Sequence, residues 1–113
     1  MDLFFNNDAV GIAETDADYK IIRANPVLCR MLGYAEEELL QRTWMDVVHP
    51  EDVQKAKDHF EPVFERAAGG TVLETRLRTK LGESRYVALN VQTGQRNEDG
   101  RPNSYIGFVM DIS

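Results

Sequence analysis

A change of hydrophobic period across Gly69-Gly70 constrains this chain of 113 residues more than any other feature. Ahead of it, Val53, Ala56, Phe60, Val63, Phe64 and Ala67 recur at helical spacing, the repeat that gathers side chains on one face of an α-helix. Beyond it, Leu73, Thr75 and Leu77 alternate with Glu74, Arg76 and Arg78, as in a strand with one buried face. A helix with one apolar stripe, followed at once by strands with one apolar face, points to helix layered on sheet.

The remaining segments fit around that boundary. Val10 to Thr15 and Lys20 to Ala24 read as short strands joined through Asp16-Ala17-Asp18-Tyr19, whose aspartates favour a turn. Asn25 offers an N-cap, Pro26 suits a first helical turn, and Gly33 can take the left-handed conformation that closes a helix. Glu36 to Leu40 and Trp44 to Val48 are too short to stand alone and read as single-turn connectors. His49-Pro50-Glu51-Asp52 opens the long helix, with its two acids where the helix dipole favours negative charge. Gly82-Glu83 forms a tight turn, after which Val87, Leu89 and Val91 continue the alternation and complete a hairpin. Asn97 to Asn103 is a turn by composition, and Tyr105 to Ile112, apolar at nearly every position, is expected to be a central strand. Strand, strand, helices and three strands together predict an α+β domain, an antiparallel sheet with helices packed on one face. Leu3-Phe4-Phe5 marks residues 1–9 as an apolar lead-in to a single domain over residues 10–113.

Acidic residues outnumber basic ones by 14 to 7 over residues 1–70, whereas the count is 5 to 6 over residues 71–113, giving a net charge of −6. No basic face of the kind that neutralises nucleic-acid phosphates is present, and Arg76, Arg78, Lys80 and Arg85 read as the solvated face of a hairpin. The same acidity argues against contact with anionic lipid. Cys29 stands alone, which excludes an intramolecular disulfide and fits a reducing compartment, the cytoplasm. No apolar run reaches the ~20 residues that span a bilayer, and the first residues lack a signal-peptide pattern. Phosphate-binding glycine loops, His-Glu-x-x-His and nucleophile elbows are all missing, so an enzyme is not expected.

Several short motifs occur in a telling order: Leu3-Phe4 with Val10-Gly11-Ile12, Asn25-Pro26 with Met31-Leu32-Gly33-Tyr34, Glu37-Glu38-Leu39, and His49-Pro50-Glu51-Asp52. The Gly82-Glu83 turn then runs into Arg85-Tyr86-Val87, and the chain closes on Gly107-Phe108-Val109-Met110-Asp111-Ile112-Ser113. This arrangement, over essentially residues 3–113, resembles the PAS domain, a sensory fold of histidine kinases, diguanylate cyclases and chemoreceptors. The resemblance implies a five-stranded antiparallel sheet in the order 2-1-5-4-3, with helices on its inner face and room for a pocket between them. Two positions depart from the family pattern: Tyr19 stands where glycine is common and Ala35 where a serine or threonine cap is common.

On that frame, Trp44, Phe60, Phe64, Leu77, Leu89 and Val109 face one another, either lining a pocket or filling a core. So few polar anchors among them suit tight packing, or an apolar ligand, better than a charged metabolite. Flavin-adduct relatives carry a cysteine where Trp44 stands, so adduct chemistry is not expected, and haem-binding relatives use a histidine on the long helix, which singles out His59. The expectation is no cofactor, with haem or flavin as the alternatives. Cys29 reads as a packed thiol. Ile106, Phe108, Met110 and Ile112 alternate onto the opposite face of the last strand and, with Phe4, mark a homodimer surface. By the resemblance, Asp111 fixes the exit of the last strand toward a C-terminal effector domain of a longer parent protein. The function expected is non-catalytic sensing, relayed by dimer rearrangement, and the alternative is a ligand-free module used only for assembly.

Overall fold

The computed structural model describes residues 7–66 and 69–113. Strands β1 (Gly11–Asp16) and β2 (Ile21–Ala24) form the first hairpin. Its turn is held by the Asp16 carboxylate, which accepts from the Asp18 and Lys20 backbone N–H groups. Helix α1 (Pro26–Leu32) follows, closed by Gly33 at φ +79°. Asn25 is more than the expected cap. Its Oδ1 accepts from Leu28 N and also from Ile12 N, and its Nδ2 donates to Val10 O, so one buried side chain ties the helix start to β1.

The short helices α2 (Glu36–Leu39) and α3 (Trp44–Val47) are the expected connectors. Ala35 supplies no side-chain cap, yet Glu38 compensates from three residues on, its carboxylate accepting from Ala35 N at 2.9 Å. A 3₁₀ turn over Pro50–Asp52 precedes helix α4 (Val53–Arg66), where a continuous long helix was expected. The first turn carries both expected acids, Glu51 and Asp52, and Asp52 has a further role. Its carboxylate turns onto the sheet edge, accepting from Thr75 Oγ1, Arg76 N, Arg76 Nε and Arg76 Nη2 at 2.8 to 3.2 Å. Ala67 of the predicted helical stripe, like Leu3, Phe4 and Phe5 of the lead-in, lies outside the described residues.

Strands β3 (Leu73–Arg78), β4 (Ser84–Thr93) and β5 (Ser104–Asp111) complete one antiparallel sheet in the order β2-β1-β5-β4-β3. Odd-numbered residues of β3, β4 and β5 face the helices, as the registers Leu73↔Leu89↔Val109 and Thr75↔Val87 require. That parity corrects the reading of the basic residues. Arg85 falls on the helix-side face and is half-buried, and Arg76 is clamped by Asp52 and Glu51; Arg78 and Lys80 are solvated. Both outer edges of the sheet are capped. Arg42 O receives Ile21 N and Thr43 bridges Lys20 beside β2, while Val48 bridges Leu77 and His49 N donates to Arg76 O beside β3.

Candidate functional site

The inner face of the sheet and the helices enclose an apolar cavity of about 70 Å³. Trp44 of α3, Phe60 and Phe64 of α4, Leu77 of β3, Leu89 of β4 and Val109 of β5 all stand in its wall. The apolar stripe of α4 delivers Phe60 and Phe64, and strand parity delivers the other three sheet residues. Tyr105 and Gly107 of β5 and Thr15 of β1 also line it, and sequence reasoning missed them. The signal for the first two was available, since both share the parity of Val109; Thr15 required the β1–β5 register, which places it opposite Tyr105.

Size and chemistry limit what this space can hold. A water-sized sphere needs ~10–15 Å³, so the cavity suits a molecule of about half a dozen heavy atoms. Sites for drug-sized ligands run to ~300–1,000 Å³. Among the described residues, no lysine, arginine, histidine or carboxylate lines the cavity. His59 is not in the wall; it sits at the edge of α4, where Nε2 lies 3.0 Å from both Thr71 O and Thr71 Oγ1. Cys29 is half-buried against the core, and burial pushes its thiol up, with Glu36 and Glu37 adding to the effect.

Four rings pack together beside the cavity. Trp44, Phe64 and Tyr105 line it, and Tyr19 touches all three without lining it, at centroid separations of 6.2, 4.9 and 5.9 Å. Such tilted and edge-on geometries are the favourable ones for aromatic pairs. Tyr19 holds this position at φ +71°, in the left-handed region where glycine is at ease and a tyrosine is strained. Burial raises the phenol pKa of Tyr19, and the nearby Glu65 raises it further.

The opposite face of the sheet carries the other predicted set. Ile106 and Phe108 are half-buried, Met110 and Ile112 are 53% and 45% exposed, and Tyr86 of β4 extends the patch at 54%. Ile12 pairs with Phe108 on this face. Phe4 lies outside the described residues. At the strand end, Asp111 Oδ1 accepts from Ser113 N at 2.9 Å, which holds the Asp111 carboxyl below its ordinary range, and Ile112 N donates to Tyr86 O. Among the described residues no helix is long and apolar enough to cross a membrane, and no cluster of His, Cys, Asp and Glu could hold a metal ion.

Comparison with known proteins agrees with this architecture. The model of a family described as PAS fold matches residues 21–109. A probable diguanylate cyclase of Escherichia coli, DgcE, is 29% identical over 105 residues, covering 93% of this chain and 9% of that protein. The sensor histidine kinase TmoS of Ectopseudomonas mendocina is 24% identical over 109 residues, covering 96% of the chain and 11% of the kinase. The crystal structure of a PAS domain from Colwellia psychrerythraea superposes with a TM-score of 0.86 at 19% identity, over 97% of this chain and 91% of that one. The chain thus spans about a tenth of the length of the curated relatives it matches.

Proposed function

The chain belongs to the PAS fold family, and on that premise we propose that it is the non-catalytic sensory module of a cytoplasmic signalling protein of the histidine kinase or diguanylate cyclase type. A small apolar ligand in the cavity biases the packing of two copies through the outer face of the sheet, and Asp111 fixes the geometry by which β5 passes that change to an effector domain. The observation that carries the reading is the double role of β5. Its Tyr105, Gly107 and Val109 form cavity wall, while Ile106, Phe108 and Met110 face the other way, into the apolar patch. A ligand that pushes on one face of this strand is one residue away from the surface through which copies would meet.

Sedimentation tests the dimer. The protein is expected to run at twice its 12.9 kDa mass at ~100 µM, and Phe108→Glu, which sets a charge in the patch, is expected to halve that mass. A wild-type monomer, or an unchanged mass in the variant, sinks the proposal. The small volume of the cavity favours a second reading, in which the domain carries no ligand and serves assembly alone. Native mass spectrometry of the purified dimer separates the two, since only the sensory reading gains mass when a small apolar compound is supplied.

A further inference from the structure

Gly107 stands in the middle of β5, the central strand, where glycine is a weak choice because it costs conformational entropy and packs no side chain. A glycine in such a place usually answers to a bulge, a left-handed backbone, or the close approach of another main chain or a ligand. The first three do not apply to Gly107. The ladder runs unbroken through Ala13↔Gly107↔Val91, so there is no bulge. Positive φ among the described glycines belongs to Gly33, Gly82 and Gly100 and not to Gly107. A Cβ built on Gly107 would meet nothing nearer than Leu89 Cδ1 at 3.9 Å and Ala13 O at 4.0 Å, ordinary contacts that leave room for a methyl group. The space left open is the cavity, which Gly107 lines together with its ladder neighbours Ala13 and Val91.

We propose that Gly107 is the floor on which the ligand sits, and that the ligand is a compact hydrocarbon, a molecule with no hydrogen-bonding group. The inference rests on the sensory reading above and adds to it the point of contact and the chemistry of the occupant. The surface that the wall turns inward is almost wholly carbon. Thr15 Oγ1 donates to Asp16 O and Tyr105 OH to Phe64 O, each at 3.2 Å, and neither oxygen adds appreciably to that surface. A donor or acceptor on the ligand would therefore leave water and find no partner. Water itself is a poor occupant, since a buried water needs roughly two to four polar partners. Seated on Gly107, the ligand touches the main chain of β5 with no side chain between. The residues on either side, Ile106 and Phe108, face the outer patch. A larger side chain at this position would take the ligand's place and part it from the strand.

The test titrates methyl-labelled protein with cyclopentane and tetrahydrofuran, rings of one size in which a methylene is exchanged for an ether oxygen. Cyclopentane is expected to shift the methyl resonances of Leu89, Val91 and Val109, all in the cavity wall, in a saturable way. It is expected to bind at least about ten-fold more tightly than tetrahydrofuran, whose oxygen would go unpaired. Gly107→Ala, for which the backbone has room, is expected to weaken cyclopentane about ten-fold by filling the floor. Tetrahydrofuran binding as tightly as cyclopentane, or cyclopentane binding that Gly107→Ala leaves unchanged, overturns the inference and leaves the sensory reading standing. If neither ring binds the wild-type protein, both fall. The comparison of the two rings is read on wild-type protein, so the test survives a variant that fails to fold.

Discussion

Asp52 shows how much one carboxylate can organise. It is buried at the junction of the 3₁₀ turn and α4, and it accepts from a hydroxyl, a backbone N–H and a guanidinium, all from Thr75 and Arg76 of β3. Those bonds, foremost the one from the Arg76 side chain, hold its carboxyl far below the usual carboxylate range and raise Arg76 in turn. An unfolded Asp52 ionises near ~3.9, so above that pH the folded state gains the full benefit of a carboxylate it prefers ionised. As pH falls, the unfolded chain takes up a proton that the folded one still refuses, and the benefit drains away toward the folded group's lower pKa. Asp52→Asn is expected to cost about 2 kcal/mol at pH 7, the scale of hydrogen bonds to a charged group. Thermal melts should show the gap to wild type closing between pH 5 and about pH 2; a gap of constant size would contradict the account.

Tyr19 makes the complementary case, a residue kept against backbone preference. A non-glycine residue in the left-handed region costs ~1–2 kcal/mol, whereas aromatic pairs of the kind Tyr19 makes with Trp44, Phe64 and Tyr105 are worth ~0.5–1.5 kcal/mol each beyond their burial. Three such contacts outweigh the strain. Tyr19→Gly loses the rings and gains the relaxed backbone, and Tyr19→Ala loses the rings and keeps the strain. The melting temperatures are therefore expected to fall in the order tyrosine, glycine, alanine. Alanine equal to or above glycine would show that the backbone at this turn carries no strain.

At the scale of elements, β5 decides the character of the cavity through Gly107. A Cβ built there meets nothing nearer than Leu89 Cδ1 at 3.9 Å and Ala13 O at 4.0 Å, both ordinary contact. Gly107→Ala is expected to stabilise the fold by about 0.5–1 kcal/mol, by stiffening the unfolded strand. The added methyl also occupies the cavity, so binding of small apolar probes should weaken. Gly94→Ala is the contrasting control, since its Cβ would lie 2.3 Å from Ser104 Oγ. Calorimetry that found the two alanines equally harmful would overturn the assignment of open space to Gly107. The elements themselves were largely legible in the sequence, because their causes are local: Asn25-Pro26 and Gly33 bound α1, and two-residue alternation placed Leu73 to Leu77 and Val87 to Val91 on one face. The departures arose where a cause was distant. Asp52 also binds a strand some twenty residues on, Arg85 is turned inward by register, and Tyr19 meets partners from three other elements. Of the cavity, Phe60 and Phe64 could be read from periodicity, whereas Thr15 could not, because its place in the wall depends on the β1–β5 register.

For the molecule as a whole, the capped edges restrict how copies can meet. An open edge strand is a template for pairing with another chain, but here Arg42-Thr43 covers β2 and Val48-His49 covers β3. Strand addition is obstructed at those positions of both edges. The outer face is left, with Tyr86, Met110 and Ile112 about half exposed beside Ile106 and Phe108. Face-to-face packing buries that patch and keeps β5 at the centre of the contact, whereas edge pairing would put β2 or β3 there and leave β5 two strands away from β3. The two arrangements respond differently to charge. Met110→Lys is expected to dissociate the dimer while changing monomer stability by no more than about 0.5 kcal/mol, as is usual for an exposed site. Ile22→Lys, on edge strand β2 where the isoleucine is 42% exposed, is expected to leave the sedimenting mass unchanged. The reverse outcome, dissociation by Ile22→Lys alone, would move the interface to the sheet edge and break the link between cavity wall and dimer surface that β5 provides.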